Sequence, residues 1–332
     1  MTWLKCLKRH SYLIAVIIFA MLIFLPPIIH GEQLGIINND TAGHLRYFDK
    51  IERGDLDVLY PSQIVVGKVL IWLKDSFGLS IQTSFMYYNY LTLLLSGLLV
   101  SLLVKTVTKH IGASIIALFL ATFGLGSTMH LFWSGTTFNI SEVLIWFPLA
   151  FIILYYLRGD YSKRTKALLS IAGIADILIL VFWHPSMSIR SVEYFTPAMN
   201  YGGVAYSESV INPFDAVIHF LGIANLGIIF ICSLSKPNMD SRQRLIGLCL
   251  VTVFCGLFVL SSYSFTPFSS RLSINAFLVL GIYLCLLIGY VLNKVGWKTK
   301  AAIYGLAALS IIPNLINWFV MTSQYNPERG LY

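Results

Sequence analysis

The stretch GEQLGIINNDTAGHLRYFDKIERGD, residues 31–55, gathers Asp40, His44, Asp49, Glu52 and several basic residues, the densest charge in the chain. A carboxylate such as Asp40 can take the proton of an attacking hydroxyl. An arginine can hold an anionic leaving group through paired N–H donors. Two arginines stand nearly alone far from that stretch, Arg190 in HPSMSIRSVEYFTPAMNYGGVAYSESV and Arg271 in TPFSSRLSINAFLVLGIY. Glu193 and His184 share the first of these segments and can contact a hydroxyl-bearing acceptor. Each residue also has an ordinary reading. Asp40 suits a helix N-cap, His44 a surface or packing position, and Arg271 an interfacial anchor.

The elements that must position these groups are membrane helices. Of 332 residues, 57 % are hydrophobic and only 11 % charged, against about 25 % charge in a soluble domain. Apolar runs of about 20 residues recur, and in lipid such runs must be helices. The alternation of a membrane barrel is absent. The net charge of +8 is scattered over loops, which argues against nucleic acid as a partner. The five cysteines lack metal-site spacing and imply no disulfide framework. The N-terminal apolar run reads as an uncleaved first span, because FLPPIIHGEQLG is a poor signal-peptide cleavage site.

Nine spans are expected, near residues 11–30, 85–105, 111–127, 140–157, 167–184, 214–233, 245–262, 272–292 and 300–320. Segment 62–77 is apolar but short, and it contains Lys68, Lys74 and Asp75. The positive-inside rule decides its place. After the second span, twelve Lys and Arg residues from Lys105 to Lys300 fall on one set of loops, and only Arg190 and Arg271 fall on the other before the tail. The first set is then cytoplasmic, as are Lys5, Lys8 and Arg9. Both hold only if the chain crosses once between residues 10 and 84. Segment 62–77 therefore lies along the outer surface as an interfacial helix ended by Gly78. The expected protein is an all-α polytopic membrane protein with a single domain over 1–332. It sits in the cell or inner membrane with its N-terminus cytoplasmic and its C-terminus outside. Its outer loops are 31–84 and 185–213.

Within the first loop, DTAGHLRYFDKIERGD reads as a short helix capped by Asp40, with Lys50 and Arg53 in its last turn and Gly54 as its stop. A cytoplasmic N-terminus, one span, an acid soon after it, a short helix and a surface helix starting YP make a recognisable order. NNDTAGHLRYFDKI together with LYPSQIVVGKVLIWLKDSFGLS resembles the first outer loop of the GT-C superfamily, the integral-membrane glycosyltransferases that use polyprenyl-phosphate-linked sugars. The likeness in motif covers roughly residues 11–106; beyond that it is one of topology. The resemblance implies a GT-C-like fold and transfer of a hexosyl- or pentosyl-type sugar to a glycan, lipid or other acceptor at the outer face. It implies Asp40 as general base, with His44 a weaker match beside it, and an arginine at the outer end of a late span, Arg271, on the donor phosphate. The chain is short for the superfamily. It lacks a WWD-type motif, and Asp40 is followed by Thr41 rather than by the glutamate of protein mannosyltransferases.

Other residues keep other readings open. Tyr194, Tyr201 and Tyr206 could stack on a sugar or simply mark the interface. Glu142, after FWSGTTFNIS, is either an acceptor contact or a first-turn acid. Asp176, mid-span in IAGIADILILVFW, is costly in lipid and needs a partner, for which Asn225 lies at similar depth. It points to a second class of function, a transporter or flippase of a lipid-linked saccharide or small solute. An O-antigen or capsule polymerase would need more outer-loop arginines than Arg190 provides. A non-catalytic scaffold would tolerate loss of all these groups. No cofactor is required, although Asp40, Asp49, Glu52 and Glu193 could assemble an oxygen-ligand site for a divalent metal.

Overall fold

The computed structural model describes residues 2–30, 39–55, 61–133, 140–183, 217–235, 239–262 and 269–323. They are helical nearly throughout, with no strand among them. In chain order the elements are α1 (Thr2–His30), α2 (Asn39–Glu52), α3 (Pro61–Phe77), α4 (Ile81–Thr108), α5 (Ile111–Phe119), α6 (Gly126–Trp133), α7 (Phe147–Leu157), α8 (Lys163–Trp183), α9 (Ile223–Leu234), α10 (Ser241–Ser262), α11 (Ser269–Leu292) and α12 (Trp297–Ser323). Three single π turns, Leu120–Gly124, Glu142–Trp146 and Val217–Leu221, adjoin α5, α7 and α9.

Among the described residues four helices are long and apolar enough to cross a membrane: Ile81–Thr108, Ser241–Val259, Ile274–Leu292 and Trp297–Val320. They fall on four of the nine expected spans and fit an all-α membrane protein. Three other expected spans are broken by local backbone. In 111–127 the helix widens into a π turn and turns out at Leu125 (φ −101°, ψ 120°). In 140–157 a π turn precedes Pro148, which has no N–H to continue an α-helical ladder. In 214–233 the break is at Gly222, whose φ of +90° suits glycine alone.

The four long helices differ in burial, and this locates the core. The apolar stretch of α11 is 89 % buried, whereas those of α10 and α12 are 17 % buried. α11 is the axis, packed on α10, α5, α4 and α9. One aromatic knot ties in the outer elements. Trp318 of α12 is fully buried, with edge contacts to Tyr90 of α4 (5.6 Å) and Phe123 of the first π turn (5.7 Å). Its indole N–H donates to the Leu22 carbonyl of α1 at 3.3 Å. Phe19 of α1 meets Phe119 and Phe123 edge-on. The aromatic rings interlock as quadrupoles prefer.

α2 and α3 form a bracket between α1 and α4 with a small core of their own: Phe48, Ile51, Val66, Leu70 and Phe85. Gly67 makes it possible, since a Cβ there would strike Ile51 and crowd Phe48. Both expected stops hold. At Gly54 (φ +80°) the Gly54 and Asp55 N–H groups donate back to Ile51 and Lys50 in a Schellman pattern, and α3 ends at Gly78 (φ +65°). Lys74 of α3 bonds Glu52 of α2.

Candidate functional site

α2 carries the first candidate residues. It opens at Asn39, so Asp40 is its second residue and His44 its sixth. The acid was expected just ahead of the helix as its cap. The described backbone puts it inside the first turn, where a negative charge still suits the dipole. The side chains of Asp40 and His44 lie outside the described residues.

α3 shows how the bracket meets its surroundings. Its inner side, Val66 and Leu70, packs on Phe48 and Phe85. Its other side leaves Val65, Val69 and Trp72 about half exposed or more, at 49, 50 and 60 %. Spacings of four and three put these three on one stripe. A helix apolar on both sides, with a tryptophan on the free stripe, is suited to lie in a bilayer interface. The Glu52 carboxylate beside Lys74 holds the ammonium above its ordinary pKa.

Arg271 was expected to cap the outer end of the eighth span. The described helix α11 begins two residues earlier, at Ser269, so Arg271 is the third residue of the helix. A cation there is opposed by the helix dipole, so dipole stabilisation does not account for it. The first-turn N–H groups of α11 and a guanidinium would together favour an anion. The Arg271 side chain lies outside the described residues, as do His184, Arg190 and Glu193 and the side chain of Glu142. The expected acceptor and phosphate contacts therefore fall outside the described residues. Among the described residues no three His, Cys, Asp or Glu side chains are close enough to hold a metal ion. Asp49 is exposed, and Glu52 is engaged by Lys74.

Asp176 is the candidate the structure sharpens most. It is 3 % exposed on α8, although Leu168, Ile171, Ile174, Ile177 and Leu178 of that helix are all more than half exposed. α8 packs on α7, on the π turn Glu142–Trp146 and on α3. Asp176 lies seven residues before Trp183, about 10 Å from that helix end. Neither carboxylate oxygen has a hydrogen-bond partner. The expected pairing with Asn225 is not made. Asn225 instead donates through Nδ2 to the Gly124 carbonyl (2.8 Å) and the Leu221 carbonyl (2.6 Å). Ser310 of α12 donates to the same Gly124 carbonyl at 2.7 Å, and Thr128 donates to Ala121 at 2.7 Å.

These bonds reveal what sequence reasoning missed. Two helix breaks meet: a Cβ on Gly126 would collide with the His219 carbonyl. Breaking a helix frees carbonyls, which in an apolar interior must find donors. Asn225, Ser310 and Thr128 supply them. The available signal was the Gly124–Leu125–Gly126 run and Gly222, each followed within three residues by Ser, Thr or Asn.

At the far end of α4, the turn to α5 holds Lys109 in the left-handed region (φ 58°). His110 caps α5, its Nδ1 accepting the Ala113 N–H at 2.9 Å. Burial, then the nearby Lys300 charge, lowers its pKa below the ordinary 6.5, which keeps Nδ1 an acceptor.

No protein-family model, curated protein or solved structure matches the chain.

Proposed function

We propose that the protein is a GT-C-like integral-membrane glycosyltransferase that moves a sugar from a polyprenyl-phosphate carrier to an acceptor at the outer membrane face. In this reading the chain crosses nine times, with its N-terminus cytoplasmic and its C-terminus outside. The observation that carries it is the α2–α3 bracket. An acid lies in the first turn of α2, directly after the first long helix, and α3 turns an apolar stripe with Trp72 away from the bracket's own core. Such a bracket sets a carboxylate beside the plane where a lipid-linked sugar would lie. Asp40 takes the acceptor proton, Arg271 with the first turn of α11 steadies the departing phosphate, and α3 forms part of the isoprenoid groove. His44, His184, Arg190 and Glu193 contact the sugars.

Asp176 supports a second reading, a transporter or flippase of a lipid-linked saccharide or small solute. A carboxylate buried without a partner in an apolar helix marks a functional site more often than a structural one. The two readings separate in membranes supplied with lipid-linked sugar. A transferase loses product formation with Asp40→Asn; full transfer by that variant rules out the base. A transporter loses translocation with Asp176→Asn and is indifferent to Asp40→Asn. Single-cysteine labelling from each side of the membrane, at residues 55 and 163, checks the orientation.

A further inference from the structure

We infer that Lys109, Tyr155 and Arg242 form a binding site for the phosphate of an anionic lipid headgroup. The site lies at the end of α4 opposite the α2–α3 bracket and does not depend on the proposed activity.

Three elements converge there. Lys109 closes α4, and its left-handed backbone turns the chain out of the helix. Arg242 is the second residue of α10, and Tyr155 lies in the last turn of α7. The Lys109 ammonium stands 5.3 Å from the Tyr155 ring centroid, and the Arg242 guanidinium carbon stands 5.7 Å from it. One ring is thus approached by two cations from different helices. An aromatic ring attracts a cation through its quadrupole, but it does not neutralise two.

One carboxylate stands near them, and the Lys74–Glu52 ion pair lies at the other end of α4. Asp240 is the nearest acid in sequence, and its Oδ1 is occupied by the backbone N–H groups of Arg242 and Gln243, both at 2.8 Å, as the cap of α10. Two cations on one ring, beside a single carboxylate that already caps α10, leave a net positive charge for an anion, and phosphate oxygens match both an ammonium and a guanidinium.

The surroundings select a lipid over free phosphate. α4 and α10 are both long and apolar enough to cross a membrane, so their ends lie at headgroup depth. On the elements that carry or adjoin the site, Ile111, two residues after Lys109, and Leu248, further along α10, are 45 and 65 % exposed, apolar surface for acyl chains. Lys105, one turn back, is held over Tyr12 at 4.2 Å and adds charge to the same rim.

The test is thermal unfolding of the full chain in zwitterionic detergent, titrated with phosphatidylglycerol, phosphatidylcholine or inorganic phosphate. Phosphatidylglycerol is expected to raise Tm, with little effect of the other two. Lys109→Gln with Arg242→Gln should raise the half-saturating phosphatidylglycerol concentration about tenfold or more. Lys163→Gln with Arg164→Gln, a basic pair off the ring, should leave it unchanged. Lys109 is exposed, so Lys109→Gln alone serves if the double variant does not fold. Equal loss in both double variants would make the effect diffuse charge and overturn the site. An equal shift from inorganic phosphate would overturn the lipid assignment.

Discussion

Asn225 and Asp176 both sit buried in apolar helices, 0 and 3 % exposed, and each has a side-chain oxygen without a hydrogen-bond partner, but the donors and acceptors around them differ. Around Asn225 two helices are broken and face each other, so the backbone offers carbonyls. Both amide hydrogens of Asn225 are engaged, and Ser310 reinforces the same carbonyl. Asp176's own helix is unbroken over Lys163–Trp183, so α8 releases no carbonyl or N–H to meet the side chain, and the π turn Glu142–Trp146 on which α8 packs makes no hydrogen bond to it. A carboxylate would need donors in any case, and its own helix has none to spare. Polarity inside an apolar bundle thus has two sources here. One satisfies a fault in the backbone. The other has no hydrogen-bond partner among the described residues and carries the cost of burial alone.

That contrast can be broken most forcefully at the joint of the two helix breaks. Gly126→Ala puts a methyl group against the His219 carbonyl, which is backbone and cannot swing away. A loss of about 3 kcal/mol is expected from forced overpacking, read as a lower Tm in detergent. An unchanged Tm would mean that the breaks do not rest on each other. Asn225→Leu comes next. Interhelical hydrogen bonds in membranes average only about 0.6 kcal/mol, but this change also takes the side-chain donor from the buried Leu221 carbonyl and leaves Ser310 alone on the Gly124 carbonyl, which brings the expected loss to about 1–2 kcal/mol. A loss near the lower average would show that water or a neighbour replaces the amide.

Asp176→Leu should move the other way. Replacing a buried carboxylate without partners by an apolar side chain is expected to stabilise by about 1–2 kcal/mol while removing transport, or the turnover that depends on the site. A fall in Tm would show that Asp176 serves the fold as Asn225 does, and the contrast would collapse. His110 offers the smallest effect and a pH signature. Its folded pKa is depressed, so its stability contribution is fully present above the unfolded value of about 6.5 and is lost as pH falls through the folded value. Protonation removes the acceptor for the Ala113 N–H. Tm should therefore decline below about pH 6.5 by the worth of one cap, about 1 kcal/mol. His110→Asn keeps a capping acceptor and should flatten this part of the profile.

The same contrast explains what could be read from the sequence. Helix limits at 85–105, 245–262, 272–292 and 300–320 follow from runs of apolar residues of membrane length, and α3 follows from Pro61 and Gly78, whose backbone preferences are local. The breaks do not, because glycine is common in membrane helices and Gly124 or Gly222 in an apolar run looks like any other. Asn225 was matched with Asp176 on depth alone. Depth ignores that a turn with φ +90° at Gly222 reorients everything after it, including an asparagine three residues on. Placing Asp40 and Arg271 one or two positions outside their helices reflects the weakness of boundary signals, since a capping residue and a first-turn residue share the same preferences. His184, Arg190 and Glu193 fall outside the described residues, so their expected convergence with Asp40 rests on sequence alone.

The separate small core under α2 and α3 carries one more consequence. Phe48, Ile51, Val66 and Leu70 belong to a cluster separate from the main apolar one, and Phe85, near the start of α4, is the member that a membrane-length helix contributes to it. Two separate apolar cores amount to two cooperative units. The amides of α2 and α3 should exchange with heavy water through openings that leave α11 closed. The α2–α3 bracket can then rearrange at a small fraction of the free energy that unfolds the bundle.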